Sequence, residues 1–242
     1  MKDTGPASLY GRLAGRRAAP QPEVIEKGRR FFKSNVIFTN GAHVLPDWPD
    51  CKFIVSVPGN IATYGELTGR TEAGCAAVKE HASRPNLNVV VAYCITRPNA
   101  ASIPDFLEEW RETRIKGVYF EFYTASKMEN GGLWLDWPER DGIIDMLLRS
   151  KKSYGDFIYN KSFELKLMKT ASVKSILATC RASEVELSLD PTGNKKSPCH
   201  LCPDADCARC GCMLPIWCFY LWRKRLPLLA FAEGVWREIR GL

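Results

Sequence analysis

A chain of 242 residues with 45% hydrophobic and 25% charged residues has the composition of an ordinary folded domain, which excludes wholesale disorder. The formal net charge of +7 invites a nucleic-acid partner, but residues 1–33 hold eight basic against three acidic residues and so supply five of the seven charges. A basic head on a near-neutral body is a weak phosphate surface, and nucleic acid is not the expected partner.

The first residues contain no apolar stretch of signal-peptide length, and no apolar run approaches a membrane span; the run from Leu214 to Trp222 is ended by Arg223-Lys224-Arg225. The expected compartment is the cytoplasm, with no membrane attachment. Thiols stay reduced there, so clustered cysteines point to metal before disulfides.

Residues 1–21, rich in Gly, Ala, Arg and Pro without a period, are expected to form a disordered basic head. Pro22-Glu23 then opens a predicted helix to about residue 33, with proline and an acid where a helix start favours them. Four short, apolar, β-branched runs predict strands buried on both faces: 35–39 (NVIFT), 52–57 (KFIVSV), 87–96 (LNVVVAYCIT) and 117–123 (GVYFEFY). Helices are predicted at 64–81, at 103–114 with Ser102 as N-cap, at 137–152 and at 162–169. This alternation predicts an α/β fold of parallel βαβ units over residues 22–178.

The pattern breaks at the cysteine-rich region, 179–213. There ASEVELSLDPTGNKKSPC (182–199) predicts a strand, a turn and a short return strand. Residues 214–242 predict an amphipathic terminal helix, kinked or split at Pro227, whose Trp217, Phe219, Trp222, Phe231 and Trp236 pack on the domain. Arg223-Lys224-Arg225 is read as its exposed face.

Cysteines 180, 199, 202, 207, 210 and 212 follow the spacing C-x18-C-x2-C-x4-C-x2-C-x-C. Thiolates two to four residues apart can converge on one soft metal centre. The expected ligands are Cys180, Cys199, Cys207 and either Cys210 or Cys212, in preference to Cys202. An iron–sulfur cluster is the leading reading. The alternative is a zinc-binding cysteine-rich interaction module with a basic N-terminal head. Cys51, Cys75, Cys94 and Cys218 sit in apolar or helical contexts and are expected to be buried bystanders, and His200 is read as a solvated histidine.

Polar residues also gather where the predicted strands finish: Thr39-Asn40-Gly41, Ser56 to Asn60, Thr96 to Asn99, then Glu121 and Tyr123-Thr124. In a βα barrel the carboxyl ends of the strands form the working face, so these groups are expected to line one pocket.

The order TNG (39–41), SVPGN (56–60), ITRPN (95–99), GVYFEFYT (117–124) resembles strands three to six of the radical SAM barrel. The later stretch, from LWLDWPERDGIID to a distal cysteine, LSLDPTG and DCARCGC, is similar to radical SAM proteins with a SPASM/twitch auxiliary-cluster region. The resemblance implies a partial parallel (βα) barrel of the radical SAM type, closed by a small cysteine-rich region and a terminal helix. It implies a 4Fe–4S auxiliary cluster on Cys180, Cys199, Cys207, Cys210 and Cys212, and S-adenosylmethionine contacted by Asn40, Ser56, Asn99, Glu121 and Tyr123. The implied partners are an electron donor and a small-molecule or peptide substrate that the sequence does not name.

The chain departs from the family in three places. Its last cysteines are spaced more tightly, and Pro58 replaces the acid that often follows the fourth-strand serine. The family's CxxxCxxC, which holds the cluster that cleaves S-adenosylmethionine, is absent, as is the Gly-Gly-Glu-Pro segment expected before a TNG strand. The expectation is an N-terminally incomplete radical SAM protein that does not generate the radical alone.

Overall fold

The computed structural model describes residues 10–14, 22–32, 34–130, 132–190, 192–201 and 203–223. Five strands, β1 (Tyr10–Ala14), β2 (Ser34–Thr39), β3 (Cys51–Ser56), β4 (Asn88–Ile95) and β5 (Gly117–Phe122), form one sheet in chain order. The ladders are parallel: Arg12 faces Val36, Ile37 faces Phe53, and Val55 faces Val91. Main-chain bonds from Lys116 N to Val89 O and from Tyr123 N to Ile95 O carry the same direction into β5. The fold is therefore α/β with a sequentially ordered parallel sheet, as a partial βα barrel requires. The four apolar runs supply β2 to β5.

The sequence did not anticipate β1. Tyr10–Ala14 falls within the expected disordered head but pairs along β2. An unpaired strand edge presents a row of free N–H and C=O groups, and even a polar, glycine-containing segment can satisfy them. The rest of the head, residues 1–9 and 15–21, lies outside the described residues.

The helices are α1 (Pro22–Phe31), α2 (Ile61–Thr68), α3 (Glu72–Ala82), α4 (Ile103–Arg111), α5 (Trp137–Tyr154), α6 (Ser162–Leu167), α7 (Thr170–Ala178), α8 (Ala182–Val185) and α9 (Leu214–Arg223). The single helix expected at 64–81 is two. Gly69 ends α2 in the left-handed region, its N–H on Gly65 O, and Thr71 starts α3 by accepting from Gly74 N. Ser102 does not cap α4: it closes a 3₁₀ turn, Ala100–Ser102, that runs straight into the helix, and its hydroxyl meets Tyr93 OH at 3.0 Å.

The strand expected after residue 182 is also not formed. Ala182–Val185 is a helical turn, and the return is one antiparallel bridge between Leu189 and Lys195. Asp190 fixes the turn between them by accepting from Thr192 N and Asn194 N. Of the expected terminal helix only the part up to Arg223 is described, and there Trp222 is exposed rather than packed.

The chain divides into two compact units, and it passes from one to the other along β4 and again along β5. One holds the described residues up to Tyr93 together with Ser102–Tyr119; the other holds Cys94–Ala101 and the described residues from Phe120 on. In the first, Phe53, Val55, Val89 and Val91 are buried beside the Tyr93–Phe106–Trp110 ring series. In the second, α5 buries Arg140, Ile144 and Leu147, the i, i+4, i+7 face of a helix, beneath a capping box of Asp136 and Glu139. There Asn160, fully buried, closes the free edge of β5: it accepts from Phe120 N (2.7 Å) and donates to Phe120 O (2.9 Å). Among the described residues no helix is long and apolar enough to cross a membrane.

Candidate metal centre

The cysteine-rich segment is held by the chain that leaves β5. Lys127 N donates to Asp204 O, Ser126 bridges Ala205, Asp206 N donates to Ala125 O, and Phe122 N donates to Gly211 O. These pairs run in opposite directions, so residues 204–211 lie antiparallel to residues 122–127. Thr124 Oγ1 accepts from Gly211 N at 2.9 Å. A Cβ on Gly211 would stand 2.8 Å from Phe122 Cβ and closer still to its carbonyl group, so only glycine allows this approach.

That docking brings three stretches of chain around one cavity of about 40 Å³. Cys180 follows α7, Cys199 follows the Leu189–Lys195 turn, and Cys207, Cys210 and Cys212 come from the docked segment; all five line the cavity. They are the five cysteines expected as ligands. Cys202 lies outside the described residues.

The sulfur environments share one device. Leu214 N donates to Cys212 Sγ at 3.4 Å, and the main-chain N–H groups of Ala182, Leu201 and Cys212 act to lower the pKa of Cys180, Cys199 and Cys210. Thr124 Oγ1 adds a donor to Cys210 Sγ at 3.7 Å. Such bonds lower thiol pKa, yet burial outweighs them. It raises Cys180 and Cys199, with neighbouring thiolates adding to the rise, and it pushes Cys210 up to about 11. Cys180, Cys199, Cys207 and Cys210 are close enough to oppose one another's ionisation, and only a cation among them would reverse that sign. Among the described residues, no three His, Cys, Asp or Glu side chains stand close enough to enclose an ion.

Arg140, just behind the cavity, was not expected, and His200 differs from its preferred reading as a solvated side chain. Arg140 on α5 is 1% exposed and reaches Cys210 O with both terminal nitrogens, each at 3.5 Å. Its guanidinium lies between the rings of Phe122 (4.4 Å) and Trp137 (4.6 Å). The one signal for it was an arginine on the apolar face of a predicted helix. His200 is not solvated: its side chain is 19% exposed, Nδ1 meets Glu186 Oε2 at 2.7 Å, and Nε2 is 3.6 Å from Cys212 Sγ. Glu186 holds the ring against the cavity, a contact that no spacing rule around His200 reveals.

The expected bystanders Cys51, Cys75 and Cys218 are buried, and Cys94 is half-buried. Burial pushes Cys51 up to about 11 and Cys218 up to about 12. Cys218 is nevertheless close behind the centre, in an apolar cluster with Ala182 and Leu214 on which Cys199 and Cys212 pack.

The polar strand-end residues are divided between the two units. Asn40, just after β2, and Ser56, closing β3, belong to the first unit and are exposed. Asn99, Glu121 and Tyr123 belong to the second, and Asn99 is fully buried with its amide engaged: Oδ1 accepts from Thr96 N and Nδ2 donates to Cys94 O. Gly41 of the TNG run has a positive φ of 66°, and a Cβ there would meet Val55 and Val78 at 2.9 Å, so its conformation and packing alone account for the glycine. No protein-family model matches the chain, and no curated protein matches it.

Proposed function

We propose that the chain is an iron–sulfur protein of the radical SAM kind, with its cluster on the cavity formed by Cys180, Cys199, Cys207, Cys210 and Cys212. The observation that carries this reading is the set of sulfurs itself. Five line one cavity, with Leu214 N donating to Cys212 Sγ and Thr124 Oγ1 to Cys210 Sγ. Hydrogen bonds to sulfur are a recurring means of stabilising metal thiolates and tuning them. A set of thiol donors around one cavity supports the reading of a cluster held by four of the five.

A 4Fe–4S cluster bound there would supply one-electron transfer or a ligation point for a substrate. The chain's own part is to hold the sulfurs and to fix the docked segment through Gly211 and Thr124. S-adenosylmethionine enters the proposal through the motifs, which stand at the carboxyl ends of β2, β3 and β4 and along β5. Asn40, Ser56, Glu121 and Tyr123 enter singly, each through its own motif, whereas the Asn99 amide is already engaged. Without a CxxxCxxC, this chain alone is proposed not to cleave S-adenosylmethionine reductively.

Zinc is the second reading, and one observation favours it. The His200 imidazole lines the same cavity, and zinc accepts nitrogen and sulfur together. Anaerobic purification followed by iron, acid-labile sulfide and zinc analysis tests both. The expected result is iron with sulfide and no 5′-deoxyadenosine on incubation with S-adenosylmethionine and a reductant. Stoichiometric zinc in a colourless protein replaces the cluster reading, and 5′-deoxyadenosine production refutes the claim about radical generation.

A further inference from the structure

We infer that Arg140 is the buried counter-charge of the cluster, a positioning residue that favours its reduced state. This rests on the iron–sulfur reading of the cavity. A guanidinium taken out of water needs an anion or a full set of acceptors, and Arg140 has neither. Both terminal nitrogens share the Cys210 carbonyl at 3.5 Å, a long contact for a charged donor. Nε has no hydrogen-bond partner, and no carboxylate among the described residues forms an ion pair with the group. The adjacent carboxylate, Asp141, accepts instead from Thr170 N at 2.8 Å. The rings of Phe122 and Trp137 pack on the guanidinium, whose terminal nitrogens reach Cys210 O.

An uncompensated cation in such a place is accounted for when its anion is bound only in the loaded protein. A cluster with four thiolate ligands is a net anion and becomes more negative on reduction. A fixed positive charge behind one ligand therefore stabilises the reduced form more than the oxidised one, which raises the reduction potential. The main-chain carbonyl of Cys210 ties the guanidinium to that ligand's backbone and sets its place.

The test is a redox titration of the reconstituted protein followed by electron paramagnetic resonance, on wild type, Arg140→Met, Arg140→Gln and Arg140→Lys, with iron content measured on each. Replacing a buried unpaired charge by methionine is neutral or stabilising for folding when no anion depends on it. Glutamine serves as the second neutral variant, keeping a donor towards Cys210 O. The expected result is a lower potential in both neutral variants, roughly a tenfold smaller reduced-to-oxidised ratio at fixed potential, equivalent to about 59 mV for a one-electron couple. Arg140→Lys should recover most of that difference. Neutral variants that load iron fully and titrate like wild type overturn the inference and leave the cluster reading standing. A wild-type protein that takes up no iron and sulfide removes the cluster reading and, with it, this one.

Discussion

Gly211 donates its N–H to Thr124 Oγ1 while its carbonyl accepts from Phe122 N, so one glycine fastens the segment carrying three of the five cavity cysteines to the end of β5. Both bonds require an approach that a side chain at position 211 forbids. Gly211→Ala is expected to cost about 1–3 kcal/mol, the usual range for forcing atoms into packed space. It should also lower metal retention, because Cys210 and Cys212 are displaced with the segment. Urea unfolding together with metal content checks both; a variant with wild-type stability and loading refutes the role.

The sulfur environments divide the cysteines into two groups with different expected phenotypes. Cys199→Ser and Cys210→Ser should lose most of the bound metal, since each removes a cavity sulfur. Cys51→Ala and Cys75→Ala should retain it, since those thiols are buried elsewhere in the chain. Metal analysis of the four purified variants reads the outcome, and equal loss in all four removes the assignment.

Asn160 acts as a substitute strand on β5, and its loss would orphan Phe120 N–H and C=O inside the protein. Each buried main-chain group left without a partner costs about 1–3 kcal/mol. Asn160→Leu keeps the approximate volume and removes both bonds. It should therefore lower the urea midpoint strongly, whereas Asn160→Asp, which retains the acceptor, should fall less if its carboxyl stays protonated.

How far the sequence could be read depended on the range of the interactions involved. β2 to β5 were legible because an apolar β-branched run marks a buried strand wherever its partners lie. β1 was not legible, since Tyr10–Ala14 has no such run and becomes a strand only because β2 offers it an edge. The five cavity cysteines were legible as a spacing, including the choice of Cys180 from far outside the cluster of four near residue 207. The places of Arg140 behind Cys210 and of His200 on the cavity were not legible, because Cys210 O and Glu186, which hold them, are distant in the chain. Asn99 shows the converse error: a residue matched to a motif is consumed by its own loop.

Glu139 gives a prediction about pH. Its carboxylate completes the α5 capping box by accepting from Asp136 N and pairs with Arg97, and the Arg97 bond is the first reason its pKa lies below 4.5. A carboxyl depressed on folding contributes stability above its unfolded pKa, and that contribution is lost as pH falls through the folded value. Both partners are partly exposed, so the expected contribution is roughly 1 kcal/mol or less. Glu139→Gln should therefore be less stable than wild type near neutral pH, and the gap should narrow at about pH 3, below the ordinary glutamate value, as the carboxylate takes up a proton. Urea midpoints of the two proteins at both pH values measure it. Since acid affects any bound metal in wild type and variant alike, the difference between them is the quantity to follow, and a gap unchanged down to that pH refutes the assigned role of the Glu139 charge.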